Sequence, residues 1–321
     1  MSIQVSFIIP HKGRFEMLIA TLESIARQDF EPYKMEVVVV SQTPEIQQAQ
    51  LSTHDSLNLS VQVAEQSLTI SALRNLGAKT AKGEYLAFLD ADVALSDNWI
   101  HAMLSLLNQQ GTQRAIASAV QISGDNPPPL ELIRTHLSNA ETDCNVAFLP
   151  GRNLFMRRTT FDQVGGFPEH LITCEDYYFT DQAAKLGELY YSSTASYVHL
   201  GEDKIFKDMF KKEIWRGQSN LQSLQGRTVP LREIPSLVVP IAIFGALLAS
   251  LLCLLLAWHQ LAAVMFGLAL LPVVVYSLRL YGLARNEVSL WQIIKFYALY
   301  FPARAIGTIA GLFQSIQTRS H

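Results

Sequence analysis

Cysteine is scarce in this 321-residue chain, and its three cysteines lie far apart. Cys144, Cys174 and Cys253 are odd in number and form no Cys-x-x-Cys pair, so neither a disulfide framework nor a zinc site is predicted. Residues 1–14 lead straight into a short apolar run and lack the basic start and long apolar region of a cleavable signal. Both absences favour a reducing compartment, the cytoplasm, for the N-terminal part.

Charge is missing from a long stretch near the C-terminus. Residues 234–278 contain no Asp, Glu, Lys or Arg, a run of 45 residues, and a membrane-spanning helix needs only about 20 apolar residues. Residues 226–321 hold seven basic and two acidic residues, whereas residues 1–225 hold 18 basic and 26 acidic ones. The sequence therefore predicts a water-soluble front part and a membrane-embedded tail. The acidic balance of the front part gives no support for a nucleic-acid partner.

Two segments of the tail are long enough to span a bilayer. Residues 236–258 and 261–280 are predicted to form a helical hairpin with its turn at 259–260. Basic residues flank both ends of the hairpin, and the positive-inside rule places both flanks in the cytoplasm. These flanking residues are Arg227, Arg232, Arg279 and Arg285.

A third segment, residues 291–313, is apolar but contains Lys295, Pro302 and Arg304. That composition favours a helix lying in the membrane interface over a third span. The expected organisation is a catalytic domain over residues 1–225, a linker over 226–235 and a membrane part over 236–321. The expected location is the cytoplasmic membrane, with the catalytic domain facing the cytoplasm.

The front part shows the pattern of an α/β fold. Residues 5–10 and 36–40 are short, β-branched apolar runs typical of strands buried on both faces, and residues 14–29 between them have helical spacing. Another buried strand is predicted over residues 84–89, and Asp90-Ala91-Asp92 follows it directly. Ligands of open α/β sheets bind at the carboxyl ends of such strands.

The residues themselves leave several functional readings open. Asp90 and Asp92 could hold a hard divalent cation whose other ligands are phosphate oxygens and water, or they could form a solvated turn. Glu175-Asp176 could supply a general base or merely cap a helix. His199 could be a metal ligand or a polar residue that ends a strand, and Arg74 could face a phosphate or form a surface ion pair.

In combination these segments resemble the family-2 glycosyltransferases over residues 3–225. The matching features, in chain order, are IIPHKGR at 8–14, ALRNLGAKTAKGEYLAFLDAD at 72–92, Trp99, RRTTFDQVGGFPE at 157–169, Glu-Asp at 175–176 and His199. The resemblance implies the nucleotide-diphospho-sugar transferase fold called GT-A, a Rossmann-like mixed α/β sheet. It also implies transfer of a sugar from a nucleotide-diphospho-sugar donor, with inversion at the anomeric carbon in most members.

Carried over by position, the resemblance implies a donor site in the first half of the chain. Pro10 and His11 would lie at the nucleotide base and Arg74 near the donor, while Arg14 and Gln42 are further candidates for donor binding. Such proteins usually have Asp-Asp or Asp-Gly-Ser after the second strand, whereas this chain has Ser41-Gln42-Thr43. That departure leaves the donor base open, with a UDP-sugar as the expected donor.

The resemblance also implies a metal site and a catalytic base. Asp90 would face the ribose and a divalent cation, Mn²⁺ or Mg²⁺, which Asp92 and His199 would bind. Asp176 would deprotonate the acceptor hydroxyl, with Glu175 beside it. Residues 211–216 (KKEIWR) stand where processive members have Gln-x-x-Arg-Trp, which favours transfer of a single sugar.

Three functions follow as hypotheses. The first is a membrane-anchored, metal-dependent, inverting glycosyltransferase that uses a lipid-linked or membrane-held saccharide acceptor in polysaccharide or glycolipid synthesis. The second is a sugar nucleotidyltransferase, although the chain lacks an obvious Gly-rich, Lys-bearing phosphate loop near the first strand. The third is a catalytically silent sugar-nucleotide-binding scaffold or a subunit of a transport complex.

Overall fold

The computed structural model describes residues 2–44, 46, 57–224 and 231–319. They form two compact units. The first comprises Met1–Gly124 and Glu141–Gly201, and the second comprises Asp125–Ala140 and Glu202–His321. Residues 226–230 of the predicted linker, which include Arg227, lie outside the described residues.

A nine-stranded mixed sheet forms the centre of the first unit. Its strands are β1 Val5–His11, β2 Met35–Ser41, β3 Leu59–Val63, β4 Tyr85–Leu89, β5 Val93–Leu95, β6 Arg114–Ile122, β7 Cys144–Asn145, β8 Asn153–Arg157 and β9 Glu188–His199. They are ordered β3-β2-β1-β4-β8-β6-β9-β5, and β7 pairs with β9. Strands β3, β2, β1 and β4 are parallel, whereas β8 runs antiparallel between β4 and β6.

Helices cover both faces of this sheet. They are α1 Phe15–Ala26, α2 Ile70–Thr80, α3 Trp99–Leu107, α5 Arg158–Val164 and α6 Glu175–Ala183. One apolar cluster contains α1 and α3 residues with Phe7, Trp99 and Phe155, and the other contains α2, α5 and α6 residues with Phe88 and Phe179. The continuous apolar runs of β1, β2 and β4 are completely buried, because strands covered on both sides have no solvent-facing residues.

The predicted elements match these closely, with three local differences. The helix predicted over 14–29 is shorter, because Arg14 adopts a left-handed conformation (φ 50°, ψ 49°) ahead of the first turn. The apolar pattern over 148–156 predicts a further strand, but β8 begins only at Asn153, after a turn at 151–152. The strands β5 and β7 have three and two residues, too few to show a period.

The second unit contains four described helices besides the short helix α4 Pro129–Ser138. They are α7 Phe206–Gly217, α8 Ile234–Leu255, α9 His259–Leu283 and α10 Leu290–Arg319. Leu130 and Ile133 of α4 and Met209 of α7 are buried in one apolar cluster with residues of α8, α9 and α10. The second unit therefore begins at Glu202 and also includes residues 125–140, whereas the predicted domain boundary was at residue 225.

The helices α8, α9 and residues 290–313 of α10 are each long and apolar enough to cross a membrane. The hairpin turn lies at residues 256–258 rather than at 259–260, because Ala257 takes a positive φ of 57° and His259 already begins α9. The third helix differs from the other two in packing. In its most apolar stretch 44% of residues are buried within the protein, against 22% in α8 and in α9.

Candidate active site

The strand ends of the first unit bring the candidate site residues to one edge of the sheet. Asp90 and Asp92 follow β4, and His11 ends β1. The antiparallel strand β8 starts at this same edge, with Leu89 opposite Asn153. His199, the last residue of β9, pairs with Val93 of β5. Residues far apart in sequence therefore meet at the carboxyl edge, as the α/β topology requires.

Asp92 is the centre of a buried cluster of charged and polar groups. Its Oδ2 accepts a hydrogen bond from Nη1 of Arg14 at 2.8 Å, and its Oδ1 lies 3.4 Å from Nε2 of His199. Burial opposes ionisation of Asp92, but His199, Arg14 and Arg152 outweigh that effect and lower its pKa. A Cβ at Gly201 would displace the side-chain ends of both Asp92 and Arg14, so glycine there leaves room for this ion pair.

The donor set of this cluster fits a divalent cation in part. A carboxylate and an imidazole converge at Asp92 and His199, and both are suitable ligands for Mn²⁺. Within the described residues, no three His, Cys, Asp or Glu side chains form a complete metal site. Asp90 is directed to Arg74 instead, so a bound cation would need its remaining ligands from the donor diphosphate and water.

Arg74 forms a second cluster, which links the end of β4 to the start of α6. Its side chain is almost fully buried and donates from Nη2 to Asp90 Oδ1 at 2.9 Å and from Nη1 to Glu175 Oε1 at 2.8 Å. Gly151 packs against the guanidinium, and a Cβ there would lie 2.9 Å from Nη2. Arg74 thus makes a buried double ion pair rather than the surface pair that was its alternative reading.

Asp176 lies in the first turn of α6, next to Glu175. Its Oδ2 accepts a hydrogen bond from the backbone N–H of Gly151 at 3.0 Å, and Oδ1 accepts one from the N–H of Tyr177 at 2.8 Å. The residue that precedes α6 is Cys174, in a left-handed conformation. Asp176 therefore holds the turn before β8 instead of capping its own helix from the preceding position.

The remaining predicted donor residues occupy the ends of β1 and β2. Pro10 and His11 are buried, and Nδ1 of His11 lies 2.9 Å from Oγ of Ser41. Burial lowers the pKa of His11, which favours the neutral imidazole. Gln42 donates from Nε2 to the carbonyl oxygens of Glu65 and Leu68, so its amide nitrogen fixes the segment before α2. The roles of Pro10, His11 and Gln42 at the donor stay predictions.

Three residues of the site were missed in the sequence. Gly151 and Arg152 precede β8, and Gly201 follows β9. Arg152 donates from Nε to Tyr197 Oη and from Nη2 to Gln121 Oε1, both at 2.8 Å. The only signal is Pro150-Gly151-Arg152-Asn153, a turn sequence before an apolar run. The side chains that pack against Gly151 and Gly201 belong to residues 50 or more positions away, so spacing could not reveal these contacts.

The family model described as glycosyl transferase family 2 matches residues 6–165, about half of the chain. The chain belongs to glycosyltransferase family 2. The match ends before α6 and so includes Pro10, Arg74, Asp90 and Asp92 but not Glu175, Asp176 or His199.

Curated relatives of this transferase are themselves named as glycosyltransferases. Glycosyltransferase AglE of Haloferax volcanii is 26% identical over 73% of the chain and 79% of its own length. The amylovoran biosynthesis glycosyltransferase AmsB of Erwinia amylovora is 27% identical over 58% of the chain and 65% of its own length. The poly(ribitol-phosphate) β-N-acetylglucosaminyltransferase TarS of Staphylococcus aureus is 27% identical over 56% of the chain, but only 32% of TarS is covered.

Solved structures share the fold of the transferase. The mannosyltransferase PcManGT from Pyrobaculum calidifontis, in complex with GDP-Man and Mn²⁺, aligns with a TM-score of 0.62 over 96% of this chain and 88% of its own, at 17% identity. Residues 1–349 of S. aureus TarS, in complex with UDP, align with a TM-score of 0.51 over 98% of this chain and 92% of that one, at 18% identity. The predicted GT-A fold is thereby confirmed.

Glu175 should make the stability of the folded protein depend on pH. Burial and the neighbouring Asp176 outweigh the pairing with Arg74 and raise the pKa of Glu175 to about 7. The folded state therefore binds this proton more tightly than the unfolded chain. The resulting stabilisation is complete below about pH 4.5 and is lost as the pH rises through about 7, a change of roughly 3 kcal/mol.

Glu175→Gln should remove this pH dependence, because the amide does not titrate. Melting temperatures of the wild type and the variant, measured between pH 4.5 and 8, should diverge in favour of the variant toward high pH. Glu84→Gln, at an exposed glutamate of the same unit, serves as the matched control. Parallel curves for the wild type and Glu175→Gln would contradict the prediction.

Proposed function

We propose that this chain is a membrane-anchored, metal-dependent, inverting glycosyltransferase. It transfers a single sugar from a nucleotide-diphospho-sugar to a lipid-linked saccharide in polysaccharide or glycolipid synthesis. The observation that carries the proposal is the pair of carboxylate clusters at one edge of the sheet. Asp92 and His199 form one of them, and Asp90, Glu175 and Asp176 form the other around Arg74 and Gly151.

The Asp92 cluster is suited to the diphosphate end of the donor. When a divalent cation is bound, it acts as a Lewis acid for the negative charge that develops on the leaving diphosphate. Asp92 and His199 would hold it, with Asp90 nearby as a candidate ligand. Arg14, whose side chain is 59% exposed while it pairs with Asp92, can offer its remaining guanidinium N–H groups to phosphate oxygens.

Asp176 is the proposed general base. It accepts the proton of the acceptor hydroxyl, and the hydroxyl oxygen attacks the anomeric carbon from the face opposite the donor phosphate. The bond between the anomeric carbon and the phosphate oxygen breaks, and its electron pair leaves with the nucleoside diphosphate. Transfer from the opposite face inverts the anomeric centre.

A UDP-sugar is the proposed donor. TarS has been solved with UDP-GlcNAc, whereas PcManGT holds GDP-Man, so the nucleobase varies among proteins of this fold. Among the described residues, Nε2 of His11 is buried without a hydrogen-bond partner, which suits a contact to the base at the end of β1. Competition between UDP and GDP for a labelled nucleotide would decide the base.

Two of the three apolar helices are the proposed membrane spans. Large side chains of α8 and α9 are exposed, among them Leu255 at 76% and Leu271 at 60%, as expected of surfaces that face lipid. α10 instead packs on α7, where Arg304 Nε lies 3.6 Å from Glu213 Oε2 and Asn220 donates to Thr308 Oγ1 at 2.9 Å. The face of α7 that includes Lys207 and Lys211 is exposed, so α7 and the part of α10 beneath it belong outside the hydrocarbon layer.

Asp92→Asn should abolish the metal dependence of donor binding, because an amide lacks the charge that a hard cation requires. The amide oxygen can still accept from Arg14, so the fold should persist. We expect Mn²⁺ to enhance thermal stabilisation by UDP in the wild type and in the control Asp97→Asn, an exposed position nearby, but not in Asp92→Asn. Equal Mn²⁺ enhancement in Asp92→Asn would disprove the metal assignment.

Asp176→Asn should lower turnover by roughly 10²- to 10⁴-fold, the usual contribution of a positioned base. The asparagine side-chain oxygen can still accept from Gly151, while the bond from the N–H of Tyr177 is lost, so nucleotide binding should change little and the melting temperature should fall only slightly. Asp181→Asn, on the same helix, is the matched control. Sugar transfer and UDP affinity are measured on the same preparations, and near-normal turnover of Asp176→Asn would move the base elsewhere, first to Glu175.

The proposed topology places the catalytic unit and the C-terminus in the cytoplasm. Single cysteines at positions 259 and 285, in a chain whose three native cysteines are replaced by serine, report the two ends of α9. We expect a membrane-impermeant maleimide to label position 259 but not position 285 in intact cells. A reporter fused after residue 321 should be cytoplasmic, and an external reporter would instead mean that α10 spans the membrane.

A further inference from the structure

A cavity of about 180 Å³ lies within the second unit, between α4, α9 and α10. Its lining includes Leu137 of α4, Tyr276, Arg279, Leu280 and Leu283 of α9, and Tyr297 of α10. The wall is mostly aliphatic and aromatic, with one permanent charge.

The charged residue in the cavity wall is Arg279, which lies near the C-terminal end of α9. Arg279 is the first charged residue after the run at 234–278 and comes four residues before the end of α9. At 1.5 Å per residue it is about 6 Å from the helix end, which is the depth of lipid headgroups if α9 spans the bilayer. Arg279 is exposed, and no described carboxylate forms an ion pair with it.

The tyrosines give the cavity polar groups beside this guanidinium. The rings of Tyr276 and Tyr297 meet edge to face with their centroids 5.7 Å apart. Each side chain combines an apolar ring with a hydroxyl that can donate a hydrogen bond. A guanidinium with nearby phenols is suited to phosphate oxygens, and the leucines beside them are suited to hydrocarbon.

We propose that this cavity binds the phosphate and the first carbons of the lipid that carries the acceptor. The inference rests on the proposed function and specifies the lipid that carries its saccharide acceptor as a single-chain lipid phosphate. A space of this volume admits one chain beside a phosphate more readily than the paired chains of a bulk phospholipid. The cavity thereby selects the acceptor lipid from the surrounding bilayer.

Geranylgeranyl phosphate is the probe, and native mass spectrometry of the full chain in detergent counts the bound lipid. Arg279→Gln should weaken binding roughly 10- to 100-fold, since hydrogen bonds to charged groups are worth that much. Arg285→Gln removes the same charge from an exposed residue just beyond α9 and should change binding less than twofold. Ala140→Trp, at an exposed position in the cavity wall, should block the site independently of Arg279.

Three competitors test the identity of the ligand. Geranylgeraniol, dioleoyl phosphatidylglycerol and inorganic phosphate should each compete much more weakly than the probe. Competition by phosphatidylglycerol equal to that of the probe would identify a general phospholipid contact, and equal competition by inorganic phosphate would identify a free-phosphate site. Either result overturns the proposal, as does unchanged binding to both Arg279→Gln and Ala140→Trp.

Nucleotide binding in the same preparations separates this inference from the proposed function. If UDP binds and sugar transfer occurs while the probe does not bind, the cavity assignment alone is wrong. If the probe binds in an Arg279-dependent way but no sugar is transferred to any lipid-linked saccharide, the cavity assignment stands and the proposed function fails.

Discussion

The buried guanidinium of Arg74 is the interaction on which the catalytic edge depends. It connects three parts of the chain that no backbone hydrogen bond joins: α2, the end of β4 at Asp90 and the start of α6 at Glu175. Removing such a charge from water is costly, and a buried ion pair is weak evidence of net stabilisation. Its value here is geometric, because the paired carboxylates fix the position of α6 and with it Asp176.

The surroundings shift the pKa values of carboxylates in the two clusters in opposite directions. His199, Arg14 and Arg152 outweigh the effect of burial and lower the pKa of Asp92, which keeps this carboxylate anionic, as the proposed cation site needs. At Glu175, burial and Asp176 outweigh Arg74 and raise the pKa to about 7. Two carboxylate groups at one sheet edge thus acquire different protonation behaviour from their surroundings, as sites that combine ion binding with proton transfer require.

Local patterns predicted much of the sheet and several residues that the structure brings to its edge. The apolar runs of β1, β2 and β4 and the helical spacing of α1 are local signals, and Asp90 and Asp92 follow β4 directly. The resemblance to the family added Glu175 and Asp176, which begin α6. The residues that contact these side chains could not be predicted, because they come from segments that are distant in the sequence and meet only in the folded chain. Gly151 contacts the side chain of Arg74 from α2, and Gly201 contacts those of Asp92 and Arg14. α4 joins the C-terminal unit through contacts with residues more than 60 positions away.

The C-terminal unit shows why length and hydropathy alone do not decide how a helix meets a membrane. The exposed side chains of α8 and α9 are mostly leucines and valines, which have no polar groups that need hydrogen-bond partners. Lipid can therefore surround these two helices. α10 has similar length, but Gly307 and Gly311 allow the backbone of α7 to approach closely, and Glu213 brings Arg134, Arg216 and Arg304 together. These arginines hold the pKa of Glu213 down at about 2 despite its burial. Moving a helix that shares such a charge network into hydrocarbon would desolvate its neighbours' charges, which supports the proposed position of α10 in the interface.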